Sequence, residues 1–170
     1  MDTQERRQAI ARTLEEASGP VSAASLAKAY SVSRQVIVGD IALLRAGGMA
    51  ISATPRGYIL PQSSNGLIRT LACRHDGEQS EEELNAIVDQ GCTVLDVIVE
   101  HPVYGQITAQ LQLSSRYEVS QFVNRCHRHN APPLSALTDG IHLHTISCPS
   151  EKAYERVCNS LRELDMLMDE

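Results

Sequence analysis

The sequence predicts an α/β (α+β) fold shared between two small domains. Residues 1–62 should form three helices closed by a hairpin, and residues 63–170 a β-α-β-β-α-β-α body. Three observations predict this. The polar, turn-rich run PQSSNG at 61–66 interrupts the hydrophobic patterning and reads as a linker. Before it the apolar spacing is helical; after it strand-like and helix-like segments alternate. The charge balance also changes there: residues 1–63 carry seven Lys/Arg against five Asp/Glu (+2), and residues 64–170 carry eight against sixteen (−8), within a total of −6. Taken whole, a charge of −6 argues against a nucleic-acid partner. Divided at the linker, it leaves a mildly basic first domain and an acidic second one that should face away from phosphates. With 42% hydrophobic residues among 170, the chain can bury real cores and is not a disordered tail. No run reaches the roughly 18 apolar residues of a membrane span, and the charged start MDTQERRQAI lacks a signal-peptide pattern, so a cytoplasmic protein with no membrane partner is expected. Five cysteines without a CxxC spacing read mostly as buried thiols. Six aromatics and no Trp leave few stacking platforms for single strands or RNA.

In the first domain, Ile10, Leu14 and Ala17 share one face of a helix expected over about 4–18, which Gly19-Pro20 stops. Ser22 can cap a short second helix with Leu26 and Ala27 inward, and Ser31-Val32 forms a tight connection to a third helix starting at Ser33. That is helix-turn-helix spacing. In the third helix Val36, Ile37, Ile41 and Leu44 form the apolar stripe and Gly47-Gly48 end it. Gln35, Val38, Gly39 and Ala42 lie opposite, a face without bulky apolar groups that can approach a major groove closely. MAISATPRGYIL then alternates as two short strands around Thr54-Pro55-Arg56-Gly57, a wing with a basic tip. Such a unit could instead dock a protein. Ser33, Arg34 and Gln35 at the groove-entering end of the third helix, with Arg56 on the wing, favour DNA. The segment VSRQVIVGDIALLRAGG resembles the winged helix-turn-helix of biotin-repressor-like regulators. The resemblance implies a base-edge contact for Gln35 and phosphate contacts for Arg34, Arg45, Arg56 and Lys28.

The second domain reads as strand at 69–75, helix at 80–90, strands at 93–101 and 104–112, helix at 115–129, strand within GIHLHTIS and helix at 150–168. The connection His101-Pro102-Val103 is too short for a crossover, so the middle strands should pair as an antiparallel hairpin, and the order resembles a ferredoxin-like sandwich with one helix-covered and one open face. On the last helix Ala153, Val157, Leu161 and Leu164 form a stripe that suits either core or interface. All six histidines lie in this half. His127 and His129 point about 200° apart on their helix and read as solvated helix-end residues. His142 and His144 leave the same strand face with Cα atoms about 6.6 Å apart, a spacing that suits one metal ion or a merely hydrated polar face. His75, ending the first strand, and Glu83, in the first turn of the next helix, come to the same edge. Glu83 has a rival explanation, since Ser80-Glu81-Glu82-Glu83 is a capping box.

A winged helix followed by His75, Glu83 eight residues later, HPVYG and GIHLHTI resembles the nicotinate-responsive transcriptional repressors, whose regulatory part is the 3H domain. The resemblance implies a homodimeric repressor of NAD-biosynthesis or niacin-uptake genes that binds operator DNA when nicotinic acid is present. It also implies one transition-metal ion per chain held at His75, Glu83, His142 and His144. Three imidazoles and a carboxylate suit Zn²⁺, Ni²⁺ or Fe²⁺ better than Ca²⁺ or Mg²⁺, and a net site charge of about +1 could take a carboxylate. His101, Tyr104 and Arg116 are candidate effector contacts, although a histidine before proline is equally a turn residue. Two other functions compete. In a metal-responsive winged-helix repressor, DNA binding would track the metal and ignore the pyridine. A metal-dependent hydrolase would need a general base, which Glu83 as a ligand does not leave, and no GxSxG, P-loop or GxGxxG is present, so no enzyme is expected.

Overall fold

The computed structural model describes residues 2–61 and 65–169; the expected boundary at 62/63 and the middle of the linker lie outside the described residues. The chain divides into two compact units, Met1–Ser63 and Ser64–Glu170.

In the first unit α1 (Thr3–Glu16) begins at Asp2, which forms a reciprocal capping box with Glu5. Helix α2 (Ala23–Ala29) is capped by Ser22 and α3 (Arg34–Ala46) by Ser33. Ser33 is thus the cap, and the helix proper starts one residue later than expected. Between α2 and α3, Ser31 adopts a left-handed φ of 53°, which makes the turn tight. Ile10, Leu14, Leu26, Ile37, Ile41 and Ile51 form the core. The expected stripe of α3 needs two corrections. Val36 faces outward at 38% exposure, while Ile37 and Ile41 are buried in the core. The third buried position of the helix is Asp40, whose carboxylate accepts from Arg6 Nε at 2.6 Å and so ties α3 to α1. Strands β1 (Ser52–Thr54) and β2 (Gly57–Ile59) pair antiparallel across Pro55-Arg56 as the wing. Tyr58 exchanges two backbone hydrogen bonds with Val21, each 2.9 Å, and a Cβ on Gly57 would meet Val21 at 2.5 Å, so glycine lets the wing lie against the segment before α2.

In the second unit β3 (Leu67–Arg74), β4 (Thr93–His101), β5 (Gly105–Leu113) and β6 (Ile141–Cys148) form one antiparallel sheet. Helices α4 (Ser80–Val88), α5 (Arg116–Arg128) and α6 (Glu151–Glu163) complete the expected β-α-β-β-α-β-α order. They cover one face, where Leu84, Ile87, Val119, Val157 and Leu161 pack on Leu71, Val94, Leu113 and Ile146. The ferredoxin-like expectation is corrected in strand order. The sheet runs β3-β6-β4-β5, which retains two interlocking split β-α-β units but puts β6 and β4 in the middle instead of the first and third strands. As a central strand under helices, β6 alternates cleanly, with His142, His144, Ile146 and Cys148 buried. Two further departures are local. Helix α6 stops five residues before the expected 168, where Asp165 turns left-handed; Leu167 then bridges Cys73 and the terminal segment pairs along β3. The stripe on α6 is core, with Ala153, Val157 and Leu161 fully buried.

Candidate metal centre

The buried face of β6 carries two imidazoles in line with its apolar residues, and β3 and α4 bring the remaining donors to them. His75 is the first residue past β3. A 3-10 turn (Gly77–Gln79), capped by Asp76 through the Glu78 N–H, precedes α4, whose N-cap position is Gln79 without a side-chain bond. The capping box expected at 80–83 therefore does not form. The extra turn changes the phase of α4, and Glu83 points into the core instead of back along its own helix. Glu83, His142 and His144 are 2 to 3% exposed and His75 is 8% exposed. From the Glu83 carboxylate oxygens, Nε2 of His75 lies 2.6 Å away, Nε2 of His142 2.9 Å and Nε2 of His144 3.3 Å. A hydrated polar strand face is thereby excluded.

The other ring nitrogen of each histidine is committed. Nδ1 of His75 donates to the Asp76 carbonyl at 2.6 Å, that of His142 to the Gly140 carbonyl at 2.8 Å, and that of His144 to the Asp96 carbonyl at 2.7 Å. Carbonyl oxygens only accept, so each Nδ1 carries a proton and each neutral ring presents an Nε2 lone pair to the centre. Such a carbonyl partner on the far nitrogen fixes the orientation of each ring, as it does for metal-ligating imidazoles. An ionised Glu83 also only accepts. Without a cation, all three contacts require imidazolium, which would enclose two net positive charges in the core. A single divalent ion would turn all four groups into ligands. Burial works against charge on Glu83, but His144 and hydrogen bonds from the three rings hold its carboxyl well below the usual range. Burial opposes charge on His75 and His144 too, yet Glu83 outweighs it and raises both.

A cavity of about 530 Å³ opens beside this cluster, lined by Arg74, His75, Asp76, Ser135, Asp139 and Gly140. The three candidate effector contacts are not among its lining residues. His101 Nδ1 accepts the N–H groups of Val103 and Tyr104, at 3.1 and 3.2 Å, and so closes the β4–β5 turn, on which Tyr104 is fully displayed to solvent. Arg116 makes two hydrogen bonds to Asp89 on a different groove. His127 and His129 are exposed at the end of α5. In the first unit Lys28, Ser33, Arg34, Gln35 and Arg56 are exposed, as are Val38, Gly39 and Ala42 along α3. Arg45 has a structural role beside its exposure, because its Nε donates to the Ile51 carbonyl at 2.8 Å and its guanidinium lies over Tyr58.

Sequence reasoning missed three participants. Asp96 holds His144 through its carbonyl, and its carboxylate accepts from the Thr145 N–H at 2.9 Å; an acid flanked on both sides by the apolar residues of VLDVIV was the available signal. Gly140 holds His142, and its φ of 87° lets its backbone lie against His75. Cys73, directly opposite His142 in the β3–β6 register, lies beside Glu83; burial and that carboxylate's charge push its thiol pKa up.

Comparison with known proteins agrees with this division. Residues 6–59 match the family model described as an HTH domain, and residues 68–170 match the 3H domain. A "Probable transcription repressor NiaR" from Thermotoga maritima is 47% identical over 167 residues, covering 98% of this chain and 95% of its own. A "Transcription repressor NadR" from Bacillus subtilis is 45% identical over 167 residues, covering 96% and 93%. Both names describe transcription repressors, the first as a probable one. With both domain models matched in order and near-full-length similarity to two such proteins, the chain belongs to the family of transcription repressors that join an HTH domain to a 3H domain.

Proposed function

We propose that this chain is a homodimeric, DNA-binding repressor of NAD-biosynthesis or niacin-uptake genes. Its 3H domain holds one Zn²⁺, Ni²⁺ or Fe²⁺ ion and takes nicotinic acid as effector. The observation that carries the reading is the convergence of three Nε2 atoms on the Glu83 carboxylate with every Nδ1 already bonded to a backbone carbonyl. His75, Glu83, His142 and His144 would hold the ion, and its role there would be to offer a Lewis-acid position to a carboxylate. The cavity next to His75 is of a size that suits a small aromatic acid, and Arg74, which shares its lining with Asp76 and Asp139, is the cation there that would pair with the carboxylate. The names of the relatives, NiaR and NadR, support the link to niacin and NAD.

On the DNA side, α3 enters the major groove, with Gln35 on base edges and Arg34, Arg56 and Lys28 on phosphates. Two such helices in a dimer should read half-sites about 34 Å apart or a multiple of that. Nicotinate acts by binding the DNA-competent arrangement more tightly than the other. A mobility-shift assay on a promoter of an NAD gene, with nicotinate, nicotinamide and chelator varied independently, tests this. Nicotinate should strengthen the shift, nicotinamide should not, and chelator should abolish the response. A shift that followed metal alone would make the ion itself the signal, and one indifferent to all three would contradict the reading.

A further inference from the structure

We propose that Cys73 is a fifth donor of the metal site, binding the ion as a thiolate beside His75, Glu83, His142 and His144; this rests on the metal reading above. The register pairs Cys73 with His142, so both side chains leave the helix-covered face of the sheet about 5 Å apart. The sulfur, a Glu83 oxygen and a His142 nitrogen all lie within 4.8 Å of one another, and Cys73 is wholly buried. Its surroundings differ from those of the other core thiols: Cys92 and Cys148 face each other at 2.9 Å, whereas Cys73 is turned to a carboxylate and an imidazole. Val or Ala would fill such a position in a core strand; a thiol adds a soft ligand.

Binding involves no redox change. The metal–sulfur bond forms as the thiol proton leaves to solvent, and the site charge falls from about +1 to zero. Attraction for an effector carboxylate then depends more on Arg74, set against Asp76 and Asp139 in the same cavity lining. Sulfur also narrows the resident metal. Three imidazoles and a carboxylate would accept Fe²⁺ or Mn²⁺ readily, while an added thiolate favours Zn²⁺ or Ni²⁺.

Cobalt(II) is the probe. The full chain, reduced and stripped of metal, is titrated with Co²⁺ and its absorption recorded. The wild type should show visible d–d bands together with a near-ultraviolet thiolate-to-cobalt band. Cys73→Ser should keep the d–d bands and lose the charge-transfer band, while Cys126→Ser, on α5, keeps both. Visible bands without charge transfer in the wild type, or charge transfer surviving in Cys73→Ser, would overturn the role of Cys73 and leave the four-donor site standing. No cobalt uptake at all would overturn both. Should Cys73→Ser fail to fold, X-ray absorption on the zinc-loaded wild type decides: a sulfur neighbour at about 2.3 Å supports the fifth donor, and nitrogen and oxygen neighbours alone refute it.

Discussion

Replacing Gly140 by alanine should loosen the histidine cluster without touching a donor side chain. Gly140 leads into β6 at φ 87°, and its carbonyl accepts from His142 Nδ1 at 2.8 Å. A Cβ there would lie 2.3 Å from the His75 carbonyl oxygen, where real contacts do not fall below 3.0 Å. The end of β3 and the start of β6 must therefore part by about 0.7 Å, and the left-handed φ adds strain of about 1 kcal/mol. Ligand constellations tolerate displacements of only about 0.5 Å. Metal affinity should fall roughly 10- to 100-fold, equivalent to about 1.4 to 2.8 kcal/mol. Gly105→Ala is the control, since Gly105 is also left-handed, at φ 72°, but no atom lies within 4 Å of its Cβ. It should lower stability slightly and leave metal affinity unchanged. Competition with a chromophoric chelator measures both variants. Wild-type affinity in Gly140→Ala, or an equal loss in Gly105→Ala, would show that Gly140 does not hold the cluster in place.

The metal-stripped chain should be most stable at mildly acid pH. Glu83 is held below its usual 4.5, so its contribution is present above that value and lost as pH falls through the depressed one. His75 and His144 are raised above 6.5, so theirs is complete below 6.5 and lost as pH rises through the raised values. Thermal melts of stripped protein should peak between about pH 5 and 6.5, while metal-loaded protein gains from pH 6 to 8; a stripped chain that stabilises steadily up to pH 8 contradicts the proton accounting. Asp40→Ala leaves Arg6 without its buried partner and should lower the melting temperature of the first unit by several degrees, with Asp40→Asn losing less. Equal melting of the wild type and Asp40→Ala would show that the pair does not hold α1 to α3. Gly39 faces open space on α3, so Gly39→Ala should stabilise the helix by about 1 kcal/mol, and Gly39→Glu should fold but lose operator DNA in a mobility-shift assay. Undiminished DNA binding by Gly39→Glu would remove that face from the groove.

The elements were readable where period and capping agree. Ser22, Ser33, Ser115 and Ser150 each cap the helix that follows. His142 and His144 fall on one face because a strand has period two, whatever the sheet around it. What local pattern does not carry is which strands pair. The central position of β6 turns that face from a hydrated surface into the core, and it follows from the β3-β6-β4-β5 order. Glu83 shows the limit most directly. Its neighbours spell a capping box, but Asp76 starts a 3-10 turn earlier and leaves the carboxylate free to face the imidazoles. Asp40 is hidden from local pattern for a similar reason: its partner Arg6 is 34 residues away. Cys73 and Gly140 matter through backbone neighbours in other strands, which spacing along one strand does not reveal.

In the proposed function the buried cluster senses nicotinic acid through a bound metal ion. Calorimetric titration of nicotinate into the full chain, once metal-loaded and once chelator-stripped, tests it most directly. Saturable binding to the loaded protein and its loss from the stripped protein is the predicted result. Equal affinity in the two states, or no binding in either, would contradict it.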